Sequence, residues 1–111
     1  MYAIVDIETT GGHASSGAIT EIAIILHNGI EVEGSYHTLV NPGCEIPRYI
    51  TALTGINAEM LKDAPAFSEV APVIYQLLSS RVFVAHNVNF DYSFIRHNLI
   101  QCGIDWESAK L

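Results

Sequence analysis

Two carboxylates, Asp6 and Glu8, stand in the otherwise apolar run Tyr2-Ala3-Ile4-Val5-Asp6-Ile7-Glu8. Residues two apart in a strand point to the same face, with Cα atoms about 6.5 to 7 Å apart. Carboxylates held that close repel and resist ionisation unless a cation lies between them. A hard divalent ion such as Mg²⁺ or Mn²⁺, which takes oxygen ligands, meets that demand. The other reading is a strand end at which both acids emerge into water. A second acidic position bears on the choice: His86-Asn87-Val88-Asn89-Phe90-Asp91 follows the apolar run 81–85 and opens a helical stretch. An isolated Asp there is explained as a partner of the helix dipole, worth about 0.3 to 1 kcal/mol. If the 81–85 run pairs with the strand that carries Asp6 and Glu8, the three acids converge on one end of a sheet.

The elements that must position these residues can be read from the pattern. Residues 2 to 8 read as a strand that is apolar on both faces apart from the acids, hence central in its sheet. Residues 18 to 27 form a second β-rich run, and Asn28-Gly29 is a two-residue hairpin signal into a third strand at 30 to 40. Asn41-Pro42-Gly43 ends this antiparallel meander. From Pro47 the pattern is helical through Leu53, with a stop at Thr54-Gly55, and again at 58 to 62, with a break at Pro65. A longer helix runs from an N-cap at Ser68 to about Ser79, with Pro72 in or near its first turn. Val70, Val73, Ile74, Leu77 and Leu78 are its predicted buried stripe. The 81–85 strand is reached through a helical connection and so runs parallel to the first. Asn87 or Asn89 caps a final helix with the apolar face Phe90, Phe94, Ile95 and Leu99, which reaches about Gln101 and stops at Gly103.

The 111 residues make one domain. Half of them are apolar and 15% charged, the composition of a folded globular protein. There is no run of about 20 apolar residues for a membrane helix, and the N-terminus lacks the basic region of a signal peptide. The expected setting is cytoplasmic, without membrane contact. Cys44 and Cys102 fit no C-x-x-C pattern and read as free thiols. A net charge of -7 excludes a broad basic face that grips nucleic acid, since Arg48, Lys62, Arg81, Arg96 and Lys110 are few and scattered. A nucleic-acid substrate would be engaged over a short stretch, with metal ions and backbone donors carrying the phosphate contact.

Asp6-Ile7-Glu8-Thr9-Thr10-Gly11 resembles the first motif, D-x-E-T-T-G, of the DEDD superfamily of 3′-to-5′ exonucleases. His86 with Asn87-x-x-Phe90-Asp91 resembles the second. The likeness is to the branch that includes the proofreading epsilon subunit of bacterial DNA polymerase III, RNase T and oligoribonuclease. The spacers Ile46-Pro47, Thr54-Gly55-Ile56 and Asp63-Ala64-Pro65-Ala66-Phe67 also match, so the resemblance covers essentially the whole chain. It implies an α/β, RNase H-like mixed sheet: a three-strand antiparallel meander, a parallel fourth strand, and helices packed on it. It also implies two divalent cations, Mg²⁺ or Mn²⁺, about 4 Å apart. Carried over by position, Asp6 would bridge both ions, Glu8 would hold the one on the side of the attacking water, and Asp91 would bind the other, partly through water. Thr9, Thr10 and Gly11 would contact the terminal nucleotide, although the run through Gly12 also reads as an ordinary turn. Asn87 would lie near the substrate phosphate or order its loop. Phe90 would pack under the site or stack a base, and His86 would support the site or serve structure alone.

The family needs a fourth Asp, with a His five residues or a Tyr four residues before it as general base. The sequence offers only His86 to Asp91 and Tyr2 to Asp6 at those spacings, and both reuse acids of the earlier motifs. His97 lies six residues beyond Asp91, turned about 120° from it on a helix, and reads as a surface residue. His13 reads as an exposed loop residue. The expectation is therefore an exonuclease domain over 1–111 that lacks its C-terminal strand and helix and leaves an open edge beside the fourth strand. The rest of a longer protein or a partner chain would complete it, and a DNA polymerase subunit or a fused C-terminal domain is the expected protein partner. The expected parent activity releases nucleoside monophosphates from a nucleic-acid 3′ end, with single-stranded DNA favoured and RNA the alternative, and the chain alone would cleave weakly or not at all. The rival reading is a non-catalytic module that keeps the fold and binds nucleic-acid ends or a polymerase.

Overall fold

The computed structural model describes all 111 residues, Met1–Leu111. Four strands, β1 (Tyr2–Thr9), β2 (Ile19–His27), β3 (Val32–Leu39) and β4 (Val82–Val84), form one sheet in the order β3-β2-β1-β4. β1 runs antiparallel to β2 and parallel to β4, and β2 runs antiparallel to β3. This is the expected mixed sheet, with β1 at its centre. The helices are α1 (Arg48–Thr54), α2 (Ala58–Leu61), α3 (Phe67–Leu78) and α4 (Val88–Gln101). Gly55 and Gly103 terminate α1 and α4 in left-handed conformation, as their positions predict.

Alternation along β1 separates the two faces of the sheet. Ala3, Val5 and Ile7, with Ile22 and Ile24 of β2, are buried against Phe67, Val70, Ala71, Ile74 and Leu78 of α3 and Phe94, Ile95 and Leu99 of α4. Each such large apolar side chain contributes about 1.5 to 3 kcal/mol by leaving water. The opposite face, which carries Ile4, Asp6 and Glu8, is more open. Phe83 of β4 is enclosed by Tyr92 and Trp106, with ring centroids 5.5 and 5.6 Å away.

Several details depart from the sequence pattern. The link between β2 and β3 is a four-residue turn, not a two-residue Asn-Gly hairpin. The Asn28 side chain accepts the amides of Ile30 at 2.8 Å and Glu31 at 3.0 Å, and this local bonding holds the longer loop. The N-cap of α3 is Ala66, not Ser68, because the chain entering the helix is tied to the third strand's exit through Asn41 N–H donating to Pro65 O at 2.8 Å. Pro72 consequently sits in the second turn, on an exposed face where the unpaired Ser68 carbonyl meets water. Val73 is 42% exposed, since it lies about 120° from the centre of a stripe that begins with Phe67. The edge of β4 is also not open. Phe83 N–H donates to Ala109 O at 2.9 Å, Leu111 N–H to Phe83 O at 2.8 Å, and Ala85 N–H to Leu111 O at 3.2 Å, so residues 109 to 111 pair alongside it.

The corrected stripe separates two neighbouring substitutions. Ile74→Ala should cost about 2 to 5 kcal/mol in urea unfolding, whereas Val73→Ser should change stability by less than about 0.5 kcal/mol.

Candidate active site

β4 ends at Val84, opposite Ile4, while β1 continues to Thr9. Met1 O accepts Val82 N–H at 2.8 Å, so the odd-numbered residues of β1 turn their backbone groups toward β4. Beyond Val5 that edge has no strand beside it, and the first turn of α4 fills the gap. Asp91, in this turn, is only 6% exposed. Its carboxyl is pushed up to about 6, first by burial and further by the charges of Asp6 and Glu8, against the pull of the backbone amides of Ile7 and of Asp91 itself. Burial, then the charges of Asp6 and Glu21, raises the Glu8 carboxyl as well. The ion pairs of the molecule are Lys62–Glu59 and Arg96–Glu107, and the His37 imidazole lies against Glu21, so no side-chain cation offsets Asp6, Glu8 or Asp91.

This oxygen-only donor set, repelling itself and lacking a positive partner, fits a hard divalent cation. As the side chains stand, no three His, Cys, Asp or Glu groups are gathered closely enough to hold a metal ion, so binding would draw the carboxylates inward.

The loop that follows β1 is built from the first motif. A register shift between Glu8 and Thr9 ends the regular β1–β2 ladder, a bulge of the kind found next to active sites. Thr9 Oγ1 accepts Gly11 N–H at 2.9 Å, Thr10 Oγ1 accepts Ala18 N–H at 3.0 Å, and both threonines are buried. Their hydroxyl oxygens thus serve the loop itself, in keeping with the turn reading. Gly11 has φ +95°, and a Cβ there would come within 2.9 Å of the Tyr49 hydroxyl oxygen and 3.3 Å of Ile50 Cδ1. α1 therefore walls the loop from the side. Gly17 is tighter still, since a Cβ would lie 2.2 Å from Gly11 O and 3.1 Å from the Phe94 ring.

The second-motif residues divide. His86 and Asn87 are exposed, and Asn87 starts α4 through its carbonyl, which accepts Phe90 and Asp91 N–H, without a side-chain cap. Phe90 is half-buried, 4.9 Å between centroids from Phe94, in a packing role beneath the loop. His97 is half-buried rather than a free surface residue. With His13, Ser15, Ser93 and Arg96 it lines a cavity of about 540 Å³ on the side of α4 turned away from Asp91. Glu21 and Tyr49 also border the site, and neither belongs to the two motifs. Glu21 carried a readable signal, an acid within an apolar strand, the same signal that singled out Asp6. Tyr49 carried none.

A sequence profile of the exonuclease family of RNase T type matches residues 3–110. The chain is 43% identical over 110 residues to the 3′-5′ exonuclease DinG of Staphylococcus haemolyticus and 41% identical to that of Staphylococcus saprophyticus. Each match takes in 99% of this chain but 12% of the relative, so the chain spans a small part of the length of these curated relatives. Exonuclease X in complex with 5′ overhanging duplex DNA superposes with a TM-score of 0.73 at 32% identity, over 86% of this chain and 54% of that one. The metal-free form of the E. coli Exonuclease I–ssDNA complex superposes with a TM-score of 0.87 over 99% of this chain and 27% of that one. Its 18% identity makes this a likeness of fold. With the family profile running almost from end to end over the sheet and helices described above, the chain belongs to the RNase T family of exonucleases.

Proposed function

We propose that residues 1–111 form the front part of a divalent-metal-dependent 3′-to-5′ exonuclease that releases nucleoside monophosphates from DNA ends. The observation that carries this reading is the buried Asp91 carboxyl beside β1, coupled to Asp6 and Glu8 with no cationic side chain to relieve the three. Asp6, Glu8 and Asp91 would hold the metal, Mg²⁺ or Mn²⁺. When bound, such ions activate a water and stabilise the leaving 3′ oxygen of the terminal phosphodiester. The chain's own contribution is to bring carboxylates from two elements to one end of the sheet and to brace the neighbouring loop through Thr9, Thr10 and Gly17. DNA is preferred over RNA as substrate because Exonuclease X, at 32% identity, is described with duplex DNA. The relatives' greater length supports a longer parent protein, in which the family's fourth Asp and general base would lie, and a polymerase partner or a proofreading role would belong to that parent.

A second reading, a non-catalytic module that binds nucleic-acid ends, draws on where the histidines of residues 1–111 lie. His13 and His97 lie at the cavity across α4, and His37 is engaged with Glu21. The two readings part on metal and on turnover. Titration with Mn²⁺ should stabilise the chain saturably, by about 2.7 kcal/mol at a hundred times the Kd, and Asp6→Ala should abolish the shift. The 111-residue chain should release mononucleotides from a 5′-labelled single-stranded oligonucleotide at about 10² to 10⁴ below the rate of a version carrying the base. Absence of any Mn²⁺ shift would favour the binding module, and faster turnover of an RNA oligonucleotide would reassign the substrate.

The raised Asp91 carboxyl also sets a pH dependence in EDTA. Between pH 4 and 6 the folded state holds a proton at Asp91 that the unfolded chain has released, so stability falls as pH rises through this window and levels off above it. The loss is at most about 3 kcal/mol. Asp91→Asn should reduce that fall, leaving the smaller share due to the raised Glu8 carboxyl, raise stability at pH 8 without metal, and weaken the response to Mn²⁺.

A further inference from the structure

Glu21 of β2 stands directly across from Glu8 of β1 in the antiparallel ladder, on the sheet face that carries Asp6. Like charges in this arrangement are destabilising, and a neutral polar residue at position 21 would avoid the cost. Glu21 nonetheless has a side-chain partner on that face. His37 of β3, which pairs with Ala23, reaches diagonally along the same face and sets its Nε2 2.5 Å from Glu21 Oε2. Neither residue belongs to the motifs that define the family resemblance. One Glu21 oxygen is committed to His37, and the carboxylate keeps further lone pairs. An oriented carboxylate beside a hard-cation site has a recognised use, since such ions retain several waters whose protons need acceptors.

We propose that Glu21, oriented by His37, is a positioning residue that accepts hydrogen bonds from water bound to the cation at Glu8. This inference rests on the metal-site reading above. It differs from a plain charge effect in the sign it gives to His37. If Glu21 acted only through its charge, removing the His37 imidazole would leave cation affinity unchanged or improve it. If His37 orients the acceptor, losing its N–H weakens affinity.

The test is Mn²⁺ binding to the 111-residue chain, followed by electron paramagnetic resonance at pH 8, with melting in EDTA as a fold control. Glu21→Gln should weaken Mn²⁺ affinity by about 10- to 100-fold while the melting temperature in EDTA stays the same or rises. His37→Leu should also weaken it, and His37→Gln, which restores an N–H donor, should recover part of the loss. The two His37 variants keep Glu21 in place and decide the matter even if Glu21→Gln fails to fold. Wild-type affinity in Glu21→Gln, or undiminished affinity in His37→Leu, overturns the positioning role and leaves the metal site standing. A wild-type chain that binds no Mn²⁺ overturns both.

Discussion

Because β4 stops opposite Ile4 while β1 runs on to Thr9, one edge of the central strand must find partners that no strand supplies. The first turn of α4 takes that place, and with it comes Asp91, drawn toward the Ile7 amide and forced into the company of Asp6 and Glu8. The short strand thus does two things at once. It sets the three acids at the carboxyl end of a parallel pair, where open sheets commonly bind ligands. It also turns a helix start into an acid holder, so that the residues of both motifs meet although they lie far apart in the chain.

Much of this arrangement was legible in the sequence, where the physics was local. Acids two apart in an apolar run, glycines at helix ends and alternating apolar positions each carry their consequence within a few residues. The central place of β1 followed from its being apolar on both faces. What escaped was set by contacts between distant segments. The exposure of Val73 depends on which side of α3 meets the sheet. The start of that helix at Phe67 depends on Asn41 holding Pro65. The pairing of 109 to 111 with β4 has almost no local signature, since Ser108-Ala109-Lys110-Leu111 carries no strand pattern of its own. Asn28-Gly29 is the instructive failure, because the asparagine side chain bonds onward to Glu31 and so makes a wider turn than the dipeptide suggests.

The site was legible in the same uneven way. Asp6, Glu8 and Asp91 stand out as acids in apolar or strand-to-helix contexts. The threonines of the first motif were ambiguous, and their placement shows why: a hydroxyl that braces a loop and one that greets a ligand look alike in sequence. Tyr49 and Ile50 reach the loop only because Gly11 has no side chain, a contact that emerges when α1 is brought to its final position.

The pairing of Tyr2 with Val82 and of Ala3 with Phe83 joins segments 80 residues apart. Contacts of such wide separation carry the largest loop-closure entropy and are slow to form, unlike the β1–β2–β3 meander, which closes through short connections. Asp6 and Glu8 are neighbours by strand alternation alone, whereas Asp91 joins them only through the closure of widest sequence separation in the sheet. The repulsion of three assembled carboxylates thus falls on the join of widest sequence separation in the sheet, so that pH and dissolved cations act on the closure that costs the chain most entropy.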